Sequence, residues 1–334
     1  MPDKIKIAID AMGGENSPKK IIEGIKISLK KNKDNFFYLY GSKNLIENEI
    51  KKNNIDKQYY QIIDTKDKIL DNESAFSAAK KGKESSMWKS IESQKENITD
   101  ISLSAGNTGA LLVISRLILK TIDGINKPAL AALWPNKNGM NVVLDLGANI
   151  DCNEKNLLDF AGMGSALFKS LFNNKYPKIA LLNVGLEEIK GNDVLKKTFS
   201  TLKNNKNNNF HFSGYIEGNQ LMDGNIDVVV TDGFTGNIAL KTAEGTANFI
   251  IKGLKKSLNF ISILMSYRSL KKFRNKLDPR KYNGAIFLGL EKPVVKSHGS
   301  TDALGFAHSI DTCNKIVKAN LIEKIKSNLI TIDT

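Results

Sequence analysis

The chain has 334 residues, with 49 Lys+Arg against 35 Asp+Glu for a net charge of +14, and 41% of its residues are hydrophobic. That is ordinary globular usage, and it excludes a disordered or collagen-like chain. Two cysteines (Cys152 and Cys313) and three histidines exclude a disulfide framework and leave too few ligands for a Cys/His zinc centre, and no apolar run reaches the ~18 residues of a bilayer span.

In chain order, residues 5–9 read as a strand that runs into Asp10-Ala11-Met12-Gly13-Gly14, and 18–31 as a helix. Pro18 suits the first turn, where its missing N–H would be unpaired anyway. Strands follow at 36–40 and 60–63, then a helix at 85–96. The strand 101–103 enters Ser104-Ala105-Gly106-Asn107-Thr108-Gly109 before a helix at 109–119. After a strand at 130–133, the run 142–144 enters Asp145-Leu146-Gly147-Ala148-Asn149, and 154–172 is helical. The run 179–182 enters Asn183-Val184-Gly185, and a helix covers 193–202. The run 228–230 enters Thr231-Asp232-Gly233-Phe234-Thr235-Gly236-Asn237, with helices at 237–256 and 302–325. Near-continuous apolar strands alternating with helices indicate a parallel sheet covered on both faces. Five polar loops at the carboxyl ends of such strands, each before a helix N-terminus, point to an anion or phosphate site at one sheet edge.

Several chemistries are absent. The turn after the first strand is not a dinucleotide fingerprint, and Gly185-Leu186-Glu187-Glu188-Ile189-Lys190-Gly191-Asn192 is not a Walker A loop. Neither G-x-S-x-G nor HExxH occurs. Cys152 follows Asp151, whose carboxylate disfavours a thiolate nucleophile.

Six segments together carry a resemblance. They are 7–18 (from Ile7-Ala8-Ile9-Asp10 to Ser17-Pro18), 104–111, 145–152, Glu188-Ile189-Lys190-Gly191-Asn192, 232–237 and Lys296-Ser297-His298-Gly299-Ser300-Thr301-Asp302. In this order they closely resemble the PlsX-type phosphate acyltransferases over roughly residues 4–320. The resemblance implies a single acyltransferase domain over 1–334. Its fold would be three-layer α/β/α with a mainly parallel, doubly wound sheet, like that of phosphotransacetylases and isocitrate dehydrogenases. It also implies transfer of a fatty acyl group from acyl-acyl carrier protein to inorganic phosphate for phospholipid synthesis. The enzyme would be a cytoplasmic homodimer, peripherally bound to the inner face of the membrane, with no metal, cofactor or nucleic acid. Glu15 stands where the family usually has Asp, and Lys80-Lys81-Gly82-Lys83 replaces a commonly Arg-rich stretch. Alternatives are a phosphotransacetylase-like enzyme acting on acyl-coenzyme A and a non-enzymatic basic scaffold.

The reaction needs two anionic partners positioned and an oxyanion stabilised. Lys190, in its Gly-bounded loop, is the expected phosphate clamp, with His298, Asp232 and Asn107 as further catalytic candidates. Asp10, Gly13, Gly14, Gly106, Thr108, Asn149, Asn192, Asn237 and Lys296 are the expected substrate-binding residues.

The charge is mostly compositional, since 45 of the 49 basic residues are Lys. Residues 249–281 differ, because three of the four Arg fall there and 252–281 holds ten basic residues against one acid. A basic amphipathic helical projection is expected, with Leu254, Leu258 and Leu264 on its apolar stripe and Lys255, Arg268 and Lys271 among its cations. Its partner would be an anionic membrane surface or the acidic carrier protein, the alternative being a dimer-packing helix with a solvated face.

Overall fold

The computed structural model describes residues 4–172, 174–205, 209–257, 280 and 283–329. The chain begins with β1 (Ile5–Asp10), α1 (Lys19–Lys31), β2 (Asn35–Gly41), α2 (Lys43–Asn53) and β3 (Tyr60–Asp64). Then come α3 (Ala75–Lys81), α4 (Ser86–Lys95), β4 (Ile101–Ser104), α5 (Thr108–Leu119), β5 (Ala129–Pro135) and β6 (Met140–Leu144). They lead to α6 (Glu154–Leu171), β7 (Lys178–Leu182), α7 (Asp193–Asn204), β8 (His211–Ile216), β9 (Val228–Val230) and α8 (Gly233–Ser257). The last elements are β10 (Ala285–Leu288), β11 (Val294–Lys296), α9 (Ala303–Lys318) and α10 (Leu321–Asn328).

Among the described residues, eleven strands form one sheet in the order β3-β2-β1-β4-β11-β10-β5-β6-β9-β7-β8. Helices cover both faces, as alternate strand residues show. Val142, Leu144, Val228 and Val230 pack with α1, α6, α9 and α10, through Ile22, Phe160, Phe306 and Ile325. Val143 and Val229 face the other way, toward Met87, Ile91 and Ile114 of α4 and α5. The three valines of β9 are fully buried, each contributing about 1.5–3 kcal/mol, which is why so short a strand holds its place.

The sheet is mainly parallel, but β10 runs antiparallel to both β11 and β5, and β5 antiparallel to β6. These three reversals turn the strands β6, β9 and β7 against the direction of β1, β4 and β11. The loops after β1, β4 and β11 therefore open at one end of the strands, and those after β6, β7 and β9 at the other. The single gathering edge expected from the sequence is thus two loop clusters. The two reversals around β10 cancel, so β5 runs with β1, β4 and β11, and the net inversion comes from the antiparallel β5–β6 pair, whose short 136–139 connection allows no crossover.

Two helices differ from expectation. The helix expected over 302–325 breaks at Asn320, whose φ of 50° ends α9 and starts α10. The one expected from 237 begins at Gly233, because Asp232 accepts from the Thr235 N–H at 2.8 Å and its hydroxyl at 2.9 Å. The expected projection starts as the end of α8, and Leu258, Leu264, Arg268, Lys271 and the Lys255 side chain lie outside the described residues. No described helix is long and apolar enough to cross a membrane.

Candidate active site

The first cluster is built on the ends of β1, β4 and β11. Asp10 is 1% exposed and accepts from Ser86 Oγ at 2.5 Å, Ser104 Oγ at 2.6 Å and the Met12 N–H at 3.3 Å. Burial raises its pKa, and the two serine hydroxyls oppose that. It knots the first turn to α4 and β4. A Cβ on Gly13 would stand 2.5 Å from Asp10 Oδ2 and 2.7 Å from the Gly106 nitrogen, so the turn closes only with glycine. Gly14 has φ +77°, and its α-carbon faces the Ala105 and Gly299 carbonyls and the Lys20 ammonium.

Lys296 ends β11 and is 8% exposed. Its ammonium donates to the Ser297 carbonyl and, at 3.4 Å, to that of Ala105. Burial, reinforced by the nearby Lys20 cation, lowers its pKa to about 8, against Asp71 and Asp10. His298 is exposed at the rim. Its Nδ1 accepts from the Ser300 N–H at 3.3 Å, which puts the ring proton on Nε2 in the neutral form. Enough of the imidazole is enclosed for desolvation to lower its pKa below the ordinary value, against the pull of Glu244. His298 is therefore a neutral hydrogen-bond donor at pH 7.

Asn107 caps α5, its Oδ1 accepting from the Ala110 N–H at 3.0 Å. Its amide nitrogen donates to the carbonyls of Asp71 at 2.9 Å and Glu73 at 2.8 Å. Both ends are engaged, so Asn107 positions the 70–73 segment over the site, and Thr108 opens the helix behind it.

The second cluster is organised by Asp145, fully buried at the end of β6. It accepts from the backbone N–H groups of Leu130, Gly147, Ala148 and Asn149 at 2.7–3.1 Å and from Asn149 Nδ2 at 2.8 Å. Burial raises its pKa against these bonds. The Asn237 side chain is exposed and lies over Gly147. Asp232 serves as the cap of α8, and Asn192 as that of α7, accepting from the Leu195 N–H at 2.9 Å. Lys190 is exposed in the loop after β7, its carbonyl held by Asn183 Nδ2 at 3.2 Å. The loop of Lys190 follows β7 and so opens at the opposite end of the strands from the loop of Lys296 and His298 after β11. Cys152, near Asp145, has its thiol pushed up to about 11, first by burial and then by that carboxylate.

The α8 helix links the clusters. Gly236 packs on Asp145, while Lys241 and Glu244, paired at 2.8 Å, lie near enough to His298 to act on its charge. At 1.5 Å per residue, Glu244 lies about 12 Å beyond Gly236. One helix thus forms a wall common to both loop groups.

Lys20, Ser86, Ser104, Asp71 and Lys241 escaped the sequence reading. Lys20 had a signal, since 20, 24 and 28 recur at four-residue spacing on the buried face of α1. A chain with 45 lysines hides it.

This architecture is the phosphotransacetylase fold. A phosphotransacetylase from Streptococcus pyogenes superposes with a TM-score of 0.63 at 18% identity, covering 96% of this chain and 94% of that one. The EutD phosphotransacetylase from Staphylococcus aureus gives 0.61 at 14%, covering 95% and 94%. The profile of the family described as "Fatty acid synthesis protein" matches residues 5–324. The phosphate acyltransferase of Pelagibacter ubique is 57% identical over 97% of this chain and 98% of its own length, and that of Nitrobacter hamburgensis 41% identical over 98% and 95%. The chain belongs to this phosphate acyltransferase family and is an acyltransferase of fatty acid and phospholipid synthesis.

Proposed function

We propose that the chain transfers a fatty acyl group from acyl-acyl carrier protein to inorganic phosphate. The carrying observation is the pairing of buried cations with a neutral histidine donor at the Gly13–Gly14 turn. Phosphate is an anionic nucleophile near pH 7 and needs position and charge compensation more than a base. A phosphate oxygen attacks the thioester carbonyl, the tetrahedral oxyanion takes a hydrogen bond from His298 Nε2, and the carbon–sulfur bond breaks. The proton of HPO4²⁻ ends on the departing thiolate, leaving acyl phosphate and the carrier thiol. Asn237 and Asn149, at the other end of the α8 wall, and Lys190 of the β7 loop are assigned to the anionic donor rather than to the acceptor. Asp10, Asn107, Asp232 and Asn192 act as positioning residues.

Incubation with acyl-acyl carrier protein and phosphate, followed by hydroxylamine trapping, should yield acyl hydroxamate. Hydroxamate from acyl-coenzyme A alone would favour the phosphotransacetylase-like alternative. Attack is direct, so Cys152→Ala should keep at least half of the activity. An acylated protein seen by intact mass after mixing with donor alone would overturn that mechanism.

The reading includes peripheral membrane contact and a homodimer. Supporting the first, Phe249 is 78% exposed, and Ile250 and Leu254 are also exposed where α8 enters the basic segment. Buried apolar side chains contribute ~0.8 kcal/mol per methylene, enough for reversible attachment. Phe249→Glu/Leu254→Glu should lose sedimentation with anionic vesicles while keeping activity on carrier-bound substrate. Unchanged sedimentation would remove this segment from the membrane. Exposed Phe234 and Ile238 at the start of α8 fit a face covered by a second copy.

A further inference from the structure

We propose that Lys20 and Lys296 form a two-cation pocket over the Gly13–Gly14 turn that holds the acceptor phosphate as its dianion. The inference deepens the acyl-to-phosphate reading and rests on it.

The geometry comes from three loops and a helix. Lys20 lies in the first turn of α1 and is 4% exposed. Its ammonium donates to the Gly299 carbonyl and lies 2.9 Å from the point where a Cβ on Gly14 would stand. Lys296 reaches the same backbone, onto the carbonyls of Ala105 and Ser297. Both cations donate to neutral carbonyls, and among the described residues neither has a carboxylate within 4 Å of its ammonium. Lysine is almost never this buried without an ionic partner. An ammonium carries three donors, and the carbonyls take one from Lys20 and two from Lys296.

The surrounding charges do not cancel the pair. Lys296 feels Lys20 and Lys241 against Asp71 and Asp10, and Lys20 feels Glu15 and Asp71. Asp10 already accepts from Ser86, Ser104 and Met12, and Asp71 and Glu15 are exposed. Two adjacent cations repel each other, and a doubly charged oxyanion between them removes that repulsion while engaging the free donors. A singly charged anion compensates only one. Lys20 thereby becomes a specificity-determining residue outside the motif loops, and its helix dipole points the same way.

The test is titration calorimetry of inorganic phosphate into the full chain at pH 7.5, for wild type, Lys20→Met, Lys20→Gln and Lys20→Arg. Met and Gln should each weaken binding at least tenfold, and Arg should recover most of it. Sulfate should compete and nitrate should not. Unchanged phosphate affinity in a folded Met or Gln variant, or no measurable binding by wild type, overturns the pocket. The two readings fail separately. Lys20-dependent phosphate binding without acyl phosphate formation sinks the acyltransfer reading alone. Acyl phosphate formation with an unchanged phosphate KM in Lys20→Met sinks the pocket alone.

Discussion

Lys296→Met is expected to lower kcat/KM for phosphate by about two to three orders of magnitude, the scale of losing one preorganised charged donor to the phosphate in a water-excluded site. Methionine matches the length and burial of the lysine stem, so the core around Ser297 should stay packed. Two further measurements separate a chemical from a structural cause. In wild type, log kcat/KM for phosphate should fall above about pH 8, as Lys296 loses its proton, and in Lys296→Met that limb should vanish. The stability effect has the opposite sign. The folded pKa of about 8 lies below the 10.5 of the free side chain, so the unfolded chain binds the proton more tightly. Keeping Lys296 charged thus costs folding stability below pH 8, by about 3 kcal/mol at 1.36 kcal/mol per pKa unit, and the cost fades as pH rises from 8 toward 10.5. The Met variant should therefore melt no lower than wild type at pH 7 while being nearly inactive. A melting temperature far below wild type would make Lys296 a structural residue.

Asp145→Ala should have the largest structural effect, with a loss of more than about 3 kcal/mol in urea unfolding. Five donors converge on this carboxylate, four of them backbone N–H groups that fold the 145–149 loop against the start of β5. Each donor left unsatisfied in a buried site costs about 1–3 kcal/mol, and partial relaxation keeps the sum below five full terms. Asp145→Asn keeps an acceptor oxygen and should lose markedly less. Equal losses in the two variants would show that the carboxylate's second oxygen carries the loop. Equal stability of Asp145→Ala and wild type would refute the role of Asp145 as organiser.

Much of the molecule was legible from local signals. Runs such as Val228–Val230 and Ile179–Leu182 are apolar at every position, so a parallel sheet covered on both faces followed from them, and the three-layer α/β/α class came with the family resemblance. Strand-end residues such as Asp10 and Asp145 mark their loops, because a side-chain oxygen there can satisfy several turn N–H groups at once. The family resemblance rested on the same loops, and the comparisons with known proteins agree with it. The roles of individual loop residues were less legible. Asn107, Asp232 and Asn192 look alike in sequence whether they cap a helix or face a substrate, and only hydrogen-bond geometry shows that each is engaged as a cap.

Local pattern, then, determined the class of fold, the family and the positions of the polar loops. Tertiary structure decided which loops meet. Strand direction across a sheet depends on pairing, and the antiparallel β5–β6 pair reverses β6, β9 and β7 against β1, β4 and β11. That reversal places the Lys190 loop and the Lys296–His298 loop at opposite ends of the strands. It also leaves α8 as the wall common to both groups. The burial of Lys20 was likewise undecidable from composition, because a lysine becomes an anion ligand only where the packing of α1 on the Gly14 and Gly299 backbone shuts it away from water.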